Sequence, residues 1–213
     1  MSNALRKLWA RWRPLLGFSG SRDYWLQRYQ RGGDSGAGSG GSSAKYKADM
    51  LNAFVRHFGI QTVVEFGCGD GRQLALAQYP QYAGYDISPE AVELCRKSFA
   101  SDTSKRFALV AAFDGSRSDL ALSLDVLFHL VEDKVYFEYL DRLFGAATRF
   151  VAIYASDEES SSYNLPHVRH RSVSRDVAQR FDQFQPLDFS TTNASPPEAS
   201  PAMRFMIYRR QTP

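Results

Sequence analysis

The stretch Val63-Val64-Glu65-Phe66-Gly67-Cys68-Gly69-Asp70-Gly71 constrains this chain more than any other. An apolar run closes on an acid, then breaks into three glycines at alternate positions. Fifteen residues after Gly71, a second apolar run closes on Asp86. Continuous apolar runs of this length read as parallel strands buried on both faces. Glycines after such a strand let the backbone come close to a ligand at a helix start. An acid at the tip of the next strand can accept hydrogen bonds from two ribose hydroxyls. The spacing is G-x-G-x-G, not the G-x-G-x-x-G of dinucleotide folds, and no G-x-x-x-x-G-K-S/T phosphate loop is present.

Helices and strands alternate on either side of this motif. Leu5, Leu8, Trp9, Trp12, Leu15 and Leu16 recur at helical spacing, so residues 3–16 read as an amphipathic helix flanked by Arg6, Lys7, Arg11 and Arg13. Such a helix suits an anionic membrane surface, or equally a face of its own domain or of another subunit. A second helix is expected over Arg22–Arg31. The glycine-rich segment 32–41 follows as a linker or a lid. Lys45–Phe58 reads as a helix with Leu51, Phe54, Val55 and Phe58 inward, ending at Gly59. Strands are expected at Gln61–Phe66, Tyr82–Asp86, Arg106–Ala112, Leu120–Leu124, Thr148–Tyr154, Leu187–Thr191 and Met203–Arg209. Between them fall helices at Arg72–Gln78, from Ser88-Pro89 to Phe99, at Glu132–Phe144 and at Val173–Phe181, with a Pro-rich turn at Ser195–Pro201. The alternation predicts an α/β protein built on a parallel sheet. The expected organisation is an N-terminal part, 1–42, and a main domain, 43–213.

Three elements together, in order, resemble the class I S-adenosylmethionine-dependent methyltransferases, of the bacterial small-molecule and glycan type. The E-x-G-x-G-x-G stretch from Glu65 resembles their first motif. Tyr85-Asp86-Ile87-Ser88 resembles their second, and Ser123–Leu130 the motif after their fourth strand. The resemblance runs from about Tyr24 to about Val151. It implies a Rossmann-like fold, with a seven-stranded, mostly parallel sheet and an antiparallel edge hairpin. It also implies S-adenosylmethionine as cofactor and transfer of its methyl group to a hydroxyl or amine.

The cofactor-binding residues expected on this basis are Glu65, Gly67, Cys68, Gly69, Gly71, Asp86, Ile87, Asp114 and Asp125. Glu65 would place the cofactor's amino group or brace the loop. Loop N–H groups at a helix N-terminus would receive its carboxylate. Cys68 serves as a small residue that fits. Asp114 is either an adenine contact or a turn residue before Gly115. Asp125 and His129 share a face if their segment is helical, with His129 either a general base or a packed histidine.

The cluster His167-Val168-Arg169-His170-Arg171 sits in a loop after the fifth strand. His167 and His170 are further candidate bases. Arg169 and Arg171 would hold an anionic acceptor, unless the loop is merely solvated. Tyr24 and Trp25 are candidate acceptor contacts within a covering helix. A metal site is not expected, because His-x-x-His alone provides only two ligands.

Charge narrows the partners. The net charge is +3, yet Arg6, Lys7, Arg11, Arg13, Arg22, Arg28 and Arg31 face Asp23 alone within residues 1–31. The rest of the chain is therefore net negative, which argues against a nucleic-acid groove. The Asn/Asp-Pro-Pro-aromatic box of amino-group DNA methyltransferases is absent. The expected partner is a small-molecule or glycan acceptor, with membrane or subunit contact through residues 3–16. With two cysteines and no long apolar run, the expected location is the cytoplasm, peripheral to the inner membrane face if the first helix docks there. Two rivals stand beside this reading: a non-catalytic cofactor-binding scaffold and an NAD-dependent oxidoreductase.

Overall fold

Each apolar run splits its side chains between two faces with a period of two. In the computed structural model, which describes residues 18–159, 165–191 and 203–211, the runs assemble into one seven-stranded sheet. The strands are β1 Thr62–Phe66, β2 Gln81–Asp86, β3 Lys105–Leu109, β4 Ser118–Leu124, β5 Ala147–Ser156, β6 Phe184–Pro186 and β7 Met203–Arg210. Their order is β3-β2-β1-β4-β5-β7-β6. The first five are parallel, and β7 runs antiparallel to both β5 and β6. This is the Rossmann-like class I methyltransferase architecture with its antiparallel edge.

The helices are α1 Ser21–Gln30, α2 Gly41–Phe58, α3 Pro89–Ser98, α4 Asp133–Gly145 and α5 Val173–Arg180. Ala121 of β4 with Val151 and Ile153 of β5 packs beneath α4 and α5. Their neighbours Leu120, Leu122, Phe150 and Ala152 pack with Leu51, Phe54 and Val55 of α2 and Val92 of α3. Ser88 caps α3, its hydroxyl accepting from Ala91 N at 3.2 Å, with Pro89 in the first turn. Gly59 ends α2 at φ 60°.

From β1 the chain runs outward through β2 to β3, then returns to β4 on the other side of β1. The crevice beyond the carboxyl ends of β1 and β4 is therefore the topological switch point, where open α/β sheets bind ligands.

Several elements differ from the sequence expectation. The helix expected at Arg72–Gln78 is only a 3-10 turn, Leu74–Leu76. Asn52 of α2 donates to Leu76 O at 3.0 Å and accepts from Gln78 N at 2.7 Å. Those bonds, with Pro80 just beyond, end a segment too short to nucleate a stable helix. The strand expected at Leu187–Thr191 is replaced by β6, three residues earlier. Phe184 packs edge-on to Phe144 at 5.0 Å, which fixes the pairing there, while Phe189 leaves the sheet to cover Phe54 at 5.1 Å. β3 stops at Leu109 and passes into a 3-10 turn, Val110–Ala112. Helix α2 starts at Gly41, inside the glycine-rich segment. The helix expected at 3–16 and the turn at Ser195–Pro201 lie outside the described residues.

Candidate active site

At the switch point, about 260 Å³ of cavity is enclosed by the glycine loop, the tips of β2 and β4, α1 and α2. Of the residues singled out in the sequence, Trp25, Glu65, Gly67, Cys68, Gly69, Asp86, Ile87, Asp125 and His129 line it.

Asp86 is buried. One of its oxygens accepts from Gly69 N at 2.9 Å, and the other accepts from Ser88 N at 2.9 Å. Each carboxylate oxygen keeps a further lone pair for a ligand hydroxyl. Burial raises its pKa, and the two backbone donors oppose that rise. Glu65, buried at the end of β1, accepts from the Tyr82 hydroxyl at 2.6 Å. Burial pushes this carboxyl up to about 7, despite Tyr82 and the nearby Lys47.

The loop N–H groups are already engaged. Gly67 and Cys68 donate to Tyr85 O at 2.7 and 3.2 Å, Gly69 to Asp86, Asp70 to Ser35 Oγ at 2.9 Å, and Gly71 to Cys68 O at 3.4 Å. The loop passes into the 3-10 turn Leu74–Leu76, so no α-helix N-terminus stands behind it. The cation in this wall is Lys47. It is fully buried on α2, pairs with Asp125 Oδ2 and lies over the Tyr154 ring at 5.4 Å. Asp125 is the only non-glycine residue with positive φ among the described residues, at 59°. That conformation is tolerated by aspartate and ends β4 sharply. Gln73 also lines the cavity. Its Nε2 donates to Ala44 O at 3.1 Å, and its buried Oε1 has no partner among the described residues.

The glycine-rich segment packs directly on the motif loop. Ser35 N donates to Asp70 Oδ2 at 3.1 Å, and the Tyr29 and Ser35 hydroxyls lie 2.7 Å apart. A Cβ on Gly69, where φ is +58°, would collide with Ser35 Oγ and meet the Tyr29 hydroxyl at 3.0 Å. Only glycine admits this cover. At its other end α1 is tied to the loop after β4, because Ser21 N and Oγ donate to Glu132 at 2.9 and 2.6 Å.

His129 is half-buried in the 3-10 turn Leu127–His129, so it does not share a helical face with Asp125. Its Nδ1 lies 3.1 Å from His167 O. A carbonyl only accepts, so Nδ1 carries the proton and Nε2 keeps its lone pair. Burial pushes the pKa down to about 4, leaving the ring neutral at physiological pH. Trp25 meets it edge-on at 4.9 Å.

Other expected residues are placed elsewhere. Gly71 lies behind the loop; a Cβ there would meet Phe99 at 2.8 Å and Cys95 Sγ at 3.1 Å, so it seats α3. Asp114 is exposed and accepts from Ser116 N at 2.9 Å, forming a turn; Val110 lines the cavity in that region instead. Arg171 is buried, donating to Leu130 O, Val131 O and Asp133 at 2.6, 2.9 and 3.0 Å. Arg169 donates to Val131 O at 3.0 Å and pairs with Asp133 at 2.7 Å. Both arginines brace the loop after β4 and do not line the cavity. Tyr24 stacks on His167 at 4.2 Å outside the lining, and His170 Nδ1 bonds the Ser156 hydroxyl.

Lys47 and Gln73 were not singled out from sequence. Lys47 did carry a signal, because it falls four residues before Leu51 on the apolar stripe of α2. A lysine there must be paired. Gln73 carried none.

Residues 64–151 match the family model described as a methyltransferase domain. No curated protein sequence matches the chain. Among solved structures it is similar to magnesium protoporphyrin IX methyltransferase from Synechocystis PCC 6803 with bound S-adenosylmethionine. That match has 19% identity and TM-score 0.63, covering 89% of this chain and 95% of that one. It is similar to Burkholderia thailandensis 1,6-didemethyltoxoflavin-N1-methyltransferase, with 21% identity and TM-score 0.63, covering 90% and 87%. The N-methyltransferase NodS from Bradyrhizobium japonicum WM9, with S-adenosylhomocysteine, aligns at 13% identity and TM-score 0.62, covering 80% and 88%. Over residues 64–151 the chain matches a methyltransferase domain, and it shares its fold with methyltransferases solved with S-adenosylmethionine or S-adenosylhomocysteine bound.

Proposed function

We propose that this methyltransferase moves a methyl group from S-adenosylmethionine to a hydroxyl, or an amine, of a small-molecule or glycan acceptor. The observation that carries the reading is one cavity joining an acid-tipped cradle to a neutral, correctly protonated histidine. The magnesium protoporphyrin IX and 1,6-didemethyltoxoflavin methyltransferases named above support small molecules as the acceptor class.

The cradle fits the cofactor. Asp86 has lone pairs for the ribose hydroxyls, and Ile87 and Val110 offer apolar walls for the adenine. At the other end, Glu65, Asp125 and the Gln73 oxygen are acceptors beside the Lys47 ammonium. That set complements an α-amino acid zwitterion, with Lys47 taking the carboxylate and the acceptor groups taking the ammonium. When bound, the cofactor supplies an electrophilic methyl group on a sulfonium.

The protein contributes alignment and proton removal. Trp25 and the cover formed by α1 exclude water and hold the acceptor against the loop. His129 Nε2 takes the proton of an acceptor hydroxyl, while Nδ1–H donating to His167 O fixes the tautomer. An amine acceptor, already nucleophilic when neutral, would depend less on this base. The test is His129→Asn, whose amide can still donate to His167 O. For a hydroxyl acceptor found by screening, kcat should fall by ~10²–10⁴ with cofactor affinity unchanged. An unchanged kcat would remove His129 from the mechanism.

A further inference from the structure

Residues 32–41 read Gly-Gly-Asp-Ser-Gly-Ala-Gly-Ser-Gly-Gly, with Ala37 as their one apolar side chain. A strap of this composition has almost no hydrophobic surface to hold it against the body. Yet it lies across the ligand cradle. Ser35 sits where a Cβ on Gly69 would be, and a Cβ on Gly38 would meet Asp125 Oδ2 at 2.7 Å. The strap thus reaches from the loop after β1 to the end of β4, and Ser35 and Ser39 line the cavity.

Polar contacts hold it there, and Asp34 is their centre. Arg28 of α1 donates from Nε to Asp34 O at 2.6 Å and from Nη2 to Asp34 Oδ1 at 3.0 Å. On the other side Arg72, just past the motif loop, pairs with Asp34 Oδ2 at 3.2 Å and donates to Asp70 Oδ2 at 3.0 Å. Asp70 Oδ2 also accepts from Ser35 N at 3.1 Å, and Asp70 N donates to Ser35 Oγ at 2.9 Å. The Asp34 and Arg72 side chains are 54% and 46% exposed. Exposed pairs of this kind are individually weak and screened by salt. The strap can therefore part from the loop without baring a core. Near its ends Gly32 and Gly41 have φ of +76° and +58°, with open space where a Cβ would stand. Glycines so placed absorb large backbone rotations and serve as hinges.

We infer that Asp34 is a positioning residue: through Arg28 and Arg72 it latches the strap over the bound cofactor and so sets the rate of cofactor entry and product release. Asp34 lies outside the cavity lining, so its loss changes exchange and not the ligand's own contacts. This inference rests on the methyltransferase reading.

The test is surface plasmon resonance of S-adenosylhomocysteine on the immobilised full chain, which reads association and release separately. A gate that must open for passage either way affects both rates alike. Asp34→Asn should speed both by about fivefold and leave Kd within about twofold of the wild type. Arg72→Gln should act in the same direction. Raising NaCl from about 50 to about 500 mM should speed exchange in the wild type and leave Asp34→Asn unchanged. Asp49→Asn removes another surface pair of the same charges, Lys45–Asp49 on α2, and should leave both rates as they are. Equal rates in the wild type and Asp34→Asn, or an equal acceleration by Asp49→Asn, overturn the latch. Failure of the wild type to bind S-adenosylhomocysteine overturns instead the reading beneath it.

Discussion

Glu65 and His129 are displaced by burial in opposite senses. The folded pKa of Glu65, about 7, lies above its ordinary 4.5. Its contribution to stability is therefore complete below about 4.5 and lost as pH rises through about 7. Asp86 is raised for the same reason and acts in the same direction. The thermal midpoint of the cofactor-free protein should fall across that window, and Glu65→Gln should flatten the slope. An ammonium arriving at Glu65 would ionise it, so cofactor binding near pH 6.5 should release a proton. Calorimetry in two buffers of different ionisation enthalpy reads that release, and Glu65→Gln should abolish it. His129, lowered from 6.5 to about 4, contributes stability that is present above 6.5 and lost as pH falls through about 4. The acid limb of the rate profile should accordingly lie near 4, not near 6.5. These shifts were not legible in the sequence, because they arise from burial that only the fold creates, with Tyr82 on Glu65 and His167 O on His129 opposing them.

At the scale of elements, Lys47 and Asp125 tie α2 to the end of β4. The lysine is buried and the aspartate mostly so, with side-chain exposures of 1% and 16%. Lys47→Met leaves a nearly buried carboxylate without its cation, and Asp125→Asn leaves the reverse. Each should cost about 3–5 kcal/mol. The double variant should recover much of that cost, since asparagine also tolerates positive φ. Urea unfolding measures the cycle, and strict additivity would contradict a coupled pair. The strands around the switch point were legible because buried parallel strands are continuously apolar. The helix at Arg72–Gln78 and the strand at Leu187–Thr191 were not, because long-range bonds from Asn52 and packing on Phe144 and Phe54 override local pattern. The charges of Arg169 and Arg171 were legible, but their partners around residues 130–133 lie too far away in sequence to foresee.

Across the whole molecule, strand order gathers residues from both halves of the chain into one crevice. Glu65 and Asp86 come from one side of the switch, and Asp125 and His129 from the other. The cover over that crevice comes from residues 21–39, before the first strand. Among the described residues no helix is long and apolar enough to cross a membrane. The central claim is that this crevice holds S-adenosylmethionine through Asp86. Calorimetric titration of wild type and Asp86→Ala tests it most directly. The wild type should bind at one site. The variant, losing two charge-assisted hydrogen bonds of roughly 1.5–3 kcal/mol each, should bind about a hundredfold or more weakly with its fold intact. Equal affinity in both proteins would contradict the account.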